Sequence, residues 1–235
     1  MEGKRPSALG GRLLDVLFPP KCAFCGRVMD DPRQEICPRC ISSLPWNRQP
    51  PRKIDFVRGA SAPLFYEGDV RQAMLRYKFN GVPARGWVFG RLIAEDLQKR
   101  DLTDFDRVTW VPLSRRRHRR RGYDQARLLA ESAAEVLGLE AVPLLKKIRH
   151  TPAQSGIAAA EARRANVSGC YVVPAPAEAA GKRILLIDDI ITTGATISEC
   201  ARMLMLAGAD SVRAASLAIR RREKKELEPH EVTDI

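Results

Sequence analysis

The chain has 235 residues, 45% of them hydrophobic, which allows one core of ordinary domain size plus a small module. Its net charge is +12, and six of its forty basic side chains are the arginines of "RRRHRRR", residues 115–121, so a polyanionic partner is expected, either nucleic acid or a small phosphorylated substrate. Charge broken into every apolar stretch, and Asp15 and the prolines that interrupt the first one, "RLLDVLFPP", argue against a membrane span or an export signal and for the cytoplasm.

In chain order, the polar start "MEGKRPSA" gives way to a segment, residues 1–50, that reads as a short helix followed by a cysteine module. Cys22, Cys25, Cys37 and Cys40 are spaced C-x2-C-x11-C-x2-C. Each Cys-x-x-Cys turn can aim two thiolates at one ion, and two such turns complete the tetrahedral shell of structural zinc. Four protein ligands leave no open position, so the metal is expected to act as a staple for a segment too short to order itself. A Pro-rich linker is expected at "PWNRQPPRK", residues 45–53.

A second unit, residues 51–222, follows. "ASAPLFY" reads as a strand, "DVRQAMLRYKF" and "ARGWVFGRLIAEDLQKR" as amphipathic helices, and "RVTWVPL" as a buried strand. "GYDQARLLAESAAEVLGL" reads as a helix ending at Gly138, "EAVPLL" as a short strand, and residues 146–166 as a polar segment with little apolar drive to fold. "GCYVV", "RILLID" and "VRAASLAI" are strands, with a helix from Thr193 to Leu206 between the last two, and residues 223–235 read as a disordered tail. Strands alternating with helices imply an α/β parallel sheet flanked by helices. Cys170 and Cys200 fall on a strand and a helix and read as core cysteines.

The segment carrying most chemistry is "ILLIDDIITTGAT", residues 184–196, where an apolar strand hands over to a helix. Ligands of open parallel sheets bind in that crevice. A turn opening a helix presents unpaired N–H groups, threonine hydroxyls add donors, and glycine lets the backbone approach closely, which together describe a phosphate cradle at Thr192, Thr193, Gly194, Ala195 and Thr196. Asp188 and Asp189 would repel that phosphate if they faced it, so sugar hydroxyls or a metal ion are their expected partners, and the pattern suits a ribose 5-phosphate. The plain alternative is a strand-to-helix connection capped by Thr193 or Thr192.

This segment resembles the PRPP-binding motif of type I phosphoribosyltransferases. More narrowly, the arrangement of a four-cysteine ribbon followed by "YEGDVRQAMLRYKFNG", "VPLSRRRHRRRGYDQA" and "RHTPAQSGIAAAEARRANV" resembles the ComF family of competence-related, amidophosphoribosyltransferase-like proteins, from Phe18 to about Arg220. The resemblance implies a type I phosphoribosyltransferase-like domain that binds PRPP with magnesium and displaces pyrophosphate from C1 of the ribose, with Asp188 and Asp189 on the ribose hydroxyls and the acceptor unspecified. It implies a pyrophosphate loop at Ser114, Arg115 and Arg121, and a closing flexible loop with Arg149, Gln154, Arg163 and Asn166 as candidates. The same loop could be a surface helix from Ala158 to Arg164. Tyr77, Lys78 and Gly81 could line an acceptor pocket, or "YKFNG" could simply end a helix. His118 reads as a surface residue, and Arg116, Arg117, Arg119 and Arg120 as a solvated basic loop or a nucleic-acid track. The family usually has Asn where this chain has Asp124, which puts in doubt any role needing an amide donor. A non-catalytic alternative also follows from the resemblance: a PRPP sensor, or an accessory protein of DNA uptake that binds single-stranded DNA or a DNA-processing partner.

Overall fold

The computed structural model describes residues 19–31, 33–79, 82–149 and 167–221. The N-terminal helix before Phe18, Asn80, Gly81, Gln154, Arg163, Asn166, the Ala158–Arg164 alternative and the 223–235 tail lie outside the described residues.

The elements are α1 (Pro38–Ser43), β1 (Arg52–Ile54), β2 (Val57–Ser61), β3 (Leu64–Phe65), α2 (Gly68–Phe79), α3 (Arg85–Lys99), β4 (Arg107–Trp110), α4 (Arg115–Arg121), α5 (Gln125–Leu137), β5 (Lys146–Lys147), β6 (Tyr171–Val172), β7 (Arg183–Ile191), α6 (Ala195–Leu206) and β8 (Ser211–Ile219). The main sheet runs β1-β2-β8-β7-β4, with β3 also on β8; β1 and β2 form an antiparallel edge hairpin and the other pairings are parallel. β7 is central because Ile184–Ile187 is apolar on both faces, as a strand covered by helices on each side requires.

Strand alternation divides the core. Leu185 and Ile187 face the α2, α3 and α5 side with Tyr77, Phe89 and Leu129, whereas Ile184 and Leu186 face the α6 side with Ile197, Cys200 and Leu204. Cys170 and Cys200 are both buried in the second cluster, as expected. Helices α3 and α5 touch through Gly90, where a Cβ would lie 2.5 Å from the Ser132 Cβ.

Four expectations are corrected. "ASAPLFY" is two strands rather than one, split at Ala62–Pro63, because proline has no N–H for the ladder. "EAVPLL" forms only a bridge, Ala141 to Val108, before Pro143 ends the pairing. "GCYVV" contributes β6 to a separate antiparallel pair with β5, not to the main sheet. The basic loop is a helix, α4: Ser114 caps its first turn and Gly122, at φ 79°, ends it, so six arginines, good helix formers, lie with His118 between a start and a stop signal.

The Pro-rich stretch is fastened along its length. Trp46 bridges Leu64, the Asn47 side chain donates to Ala62 O at 2.9 Å, and Arg100 donates to the carbonyls of Gln49 (2.7 Å) and Asn47 (2.6 Å). The cysteine module likewise shares the core on the α2, α3 and α5 side: Phe24 is fully buried, with its ring 5.3 Å from Phe89.

Candidate functional sites: a metal ribbon and a strand-to-helix crevice

The four cysteine Sγ atoms lie within 4.8 Å of one another, and Cys25 and Cys37 are 3.8 Å apart. Thiolates at about 2.3 Å from one tetrahedral zinc sit about 3.8 Å from each other, so the donor set fits that ion. The backbone supplies counter-dipoles: Cys37 N–H donates to Cys22 Sγ and Cys40 N–H to Cys37 Sγ, each at 3.4 Å. Burial alone would raise the Cys22 thiol, but the N–H groups of Cys37, Cys25 and Phe24 outweigh it and hold that thiol below its ordinary range. Cys40 is pushed up by burial and by its neighbouring thiols.

The second site opens where β7 meets α6. Gly194 is at φ 86°, a left-handed conformation open to glycine, and a Cβ there would lie 2.7 Å from Ile54 Cδ1. No side chain caps α6; Thr193 Oγ1 accepts from Ala195 N–H at 3.4 Å, while Thr192 and Thr193 are exposed. Beyond that one long Ala195 bond, the first-turn donors of α6 are left facing the crevice. β1 braces the turn from outside, with Ile54 against Gly194 and Arg52 donating to Thr192 O at 3.1 Å and to Arg220 O.

The neighbouring acids are not equivalent. Asp189 N–H donates to Asp188 Oδ1 at 2.8 Å, but alternation along β7 sends the two side chains to opposite faces. Asp188 is on the α6 side, where its charge acts on Lys147, Tyr171 and Cys200. Burial, then the adjacent Asp189, push its carboxyl well above the usual carboxylate range. Asp189 is on the α2 side, where Lys78 Nζ lies 2.9 Å from Oδ1 and 2.8 Å from Oδ2.

In the segment expected to meet pyrophosphate, Ser114 is buried as the N-cap of α4 and Arg115, its first residue, is exposed. Leu113, Arg115, His118 and Arg119 line an open cavity of about 490 Å³. Arg121 turns the other way: it donates to Gln125 Oε1 at 2.7 Å, lies 5.3 Å from the Phe79 ring centroid, and has a buried Nε with no hydrogen-bond partner among the described residues. Burial lowers its guanidinium despite the nearby Asp189. Asp124 answers the question raised by its departure from Asn. Its Oδ2 accepts from Leu113 N–H at 3.1 Å and its Oδ1 from Arg127 N–H at 3.3 Å, so both oxygens act as acceptors, which an amide cannot do. Burial is the main reason its carboxyl is raised, with Asp189 adding to it.

Arg149 is exposed, and the other flexible-loop candidates lie outside the described residues. Sequence reasoning missed the Lys78–Asp189 pair, the Arg52 brace and the partnership of Lys147 Nζ with Tyr171 Oη at 3.1 Å. "YKFNG" carried the only signal for the first of these, and nothing in "PPRK" pointed to the second.

A family profile described as "Phosphoribosyl transferase domain" matches residues 124–234, and one described as "Double zinc ribbon domain" matches residues 13–52. The chain is 30% identical over 205 residues to DNA utilization protein YhgH of Salmonella typhi, covering 81% of this chain and 86% of that protein. It is 30% identical over 204 residues to competence protein ComFC of Streptococcus pneumoniae, covering 83% of this chain and 86% of that protein. Competence protein F of Haemophilus influenzae is 34% identical over 110 residues, 46% of this chain and 48% of that protein. Among solved structures, the glutamine PRPP amidotransferase from B. subtilis complexed with ADP and GMP aligns at a TM-score of 0.41 and 22% identity, covering 60% of this chain and 30% of that one. With a four-cysteine zinc ribbon leading into a phosphoribosyl transferase domain, and with relatives of that identity along most of its length, the chain belongs to the ComF family.

Proposed function

We propose that this protein binds PRPP with magnesium and displaces pyrophosphate from C1 of the ribose, in a setting related to competence or DNA utilization. The observation that carries this reading is the uncapped first turn of α6 behind Gly194, set against an acid pair at the end of the same strand. The N–H groups of Gly194 and Thr196, and that of Ala195 once it leaves Thr193 Oγ1, would seat the 5-phosphate, helped by the helix dipole. Asp188 would accept hydrogen bonds from ribose hydroxyls and favour the positive charge that develops on the ring as the C1–oxygen bond breaks. Arg115, which lines the cavity on α4, would meet the leaving pyrophosphate, with Ser114 holding the turn. Magnesium, when bound, neutralises charge on the pyrophosphate oxygens. With Asp189 engaged by Lys78, the chain suits a metal that arrives on the substrate rather than one caged by protein carboxylates. No side chain is required as a covalent nucleophile.

Calorimetric titration of PRPP and magnesium into wild type and an Asp188→Ala/Asp189→Ala variant, with pyrophosphate assayed in the same samples, tests the reading. Binding is expected in wild type, with pyrophosphate released as water takes the acceptor's place at C1 and gives up a proton; both are lost in the variant, and absence of affinity in wild type would refute the reading.

A second reading has its own observation. Phe79 is 56% exposed, with Arg120 and Arg121 stacked at 5.8 and 5.3 Å from its ring centroid, a basic and aromatic surface suited to single-stranded nucleic acid. Salt-dependent binding of single-stranded DNA that survives Asp188→Ala, without pyrophosphate release, would favour that binding module over the enzyme.

A further inference from the structure

The last turn of α2 is held on three sides by three successive residues. Arg76 reaches the ribbon and donates to Phe24 O. Tyr77 is fully buried, meets Phe89 edge-on at 5.5 Å, and donates to Gln125 O at 3.0 Å, while Tyr123 Oη donates to Tyr77 O. Lys78 is the third, and points at the sheet. Successive helical residues are rotated by about 100°, so a single turn can address ribbon, aromatic core and crevice at once. Lys78 is therefore placed by its neighbours, unlike a surface lysine that samples many rotamers. Its side chain is 18% exposed and that of Asp189 14%, and its ammonium contacts both carboxylate oxygens.

An ionised carboxylate this enclosed needs a cation, and one that already has its cation is a poor acceptor for a further ligand. At Asp188, one residue away on the opposite face, the near contact is the Asp189 N–H, and Lys78 acts on it only at longer range. We infer that Lys78 is a positioning residue of the sugar-phosphate site, holding Asp189 as a fixed carboxylate on the α2 face so that the backbone at 188–189 is set and the ligand is met by Asp188. The inference rests on the sugar-phosphate reading above. It divides the labour within the acid pair: Asp188 touches ligand, and Asp189 acts through the ion pair that anchors the strand end.

PRPP with magnesium is titrated calorimetrically into wild type, Lys78→Met, Lys78→Arg, Asp189→Asn and the Lys78→Met/Asp189→Asn double variant, with zinc content measured as a control for the fold. Lys78→Met is expected to weaken binding by about tenfold or more, Lys78→Arg to restore most of it, and Lys78→Met to add little once Asp189→Asn is present. Wild-type affinity in Lys78→Met would overturn the inference. So would independent, multiplying losses in the double variant, because they would mean that Lys78 touches the ligand itself. Thermal unfolding of the same five proteins without ligand separates this idea from the reading it rests on. If wild type binds no PRPP, the sugar-phosphate reading fails, and a coupling between Lys78 and Asp189 in unfolding still supports the anchor. Additive unfolding shifts would remove it.

Discussion

The ribbon and the crevice use the same physical resource, backbone N–H groups at tight turns, to opposite ends. In the ribbon, the N–H groups of Cys37 and Cys40 are spent on thiolates of the same module, every ligand comes from the chain, and the cluster is closed. In the crevice, Gly194 opens α6 with no cap of its own, Thr192 and Thr193 are exposed, and apart from a long Ala195–Thr193 bond the first-turn donors are left for something from outside. A closed set stabilises the fold, whereas an open set retains an unmet demand that a ligand can meet. The contrast teaches that a donor-rich turn signals function only when nothing in the chain answers it.

The hardest test of that contrast is to open the closed site. Cys22→Ser is expected to lose bound zinc, measured by elemental analysis near one equivalent in wild type, and to destabilise the whole protein by about 4 kcal/mol or more rather than the ribbon alone, because Phe24 is part of the core that holds Phe89 and Tyr77. A metal-free protein that unfolds at the wild-type temperature would break the comparison.

A smaller effect comes from closing the open site. Gly194→Ala puts a Cβ into a left-handed turn and against Ile54, so a loss of about 1–3 kcal/mol in unfolding and about tenfold or more in PRPP affinity is expected. Unchanged affinity would show that the turn is not the phosphate seat.

The smallest and sharpest effect concerns pH. Asp188 is raised in the folded protein, so the native state holds a proton that the unfolded chain releases above about pH 4. More protons bound in the native state mean that this group's contribution makes stability fall as pH rises above that point. Asp188→Asn should flatten that part of the denaturant-unfolding profile, while PRPP affinity in wild type should increase with pH as the acceptor carboxylate forms. A stability profile with the same slope in Asp188→Asn as in wild type would contradict the assignment of the shift.

Much of this was legible in the sequence because it is local. Cys-x-x-Cys spacing is a property of two turns, and the apolar run from Ile184 with its acid and threonine turn is a property of one strand and one helix start. The capped helix α4 is also local, bounded by Ser114 and Gly122, yet its run of like charge carries no apolar period to distinguish helix from loop. "EAVPLL" and "GCYVV" failed for a different reason: their apolar content sets burial, while the strand that each pairs with depends on proline position and distant partners.

By itself, then, the order of residues determined the ribbon's donor set, the alternation of strands and helices, and the strand-to-helix chemistry at 184–196, since each is written within a few residues. Only the tertiary structure decided which acid is held by Lys78, 111 positions earlier in the chain, and that Arg52 braces the Thr192 turn from 140 positions away. Ion pairs and braces between remote segments depend on how the sheet brings its edges together. No periodicity encodes that geometry, because a lysine at the end of a helix reads the same whether it faces water or a carboxylate.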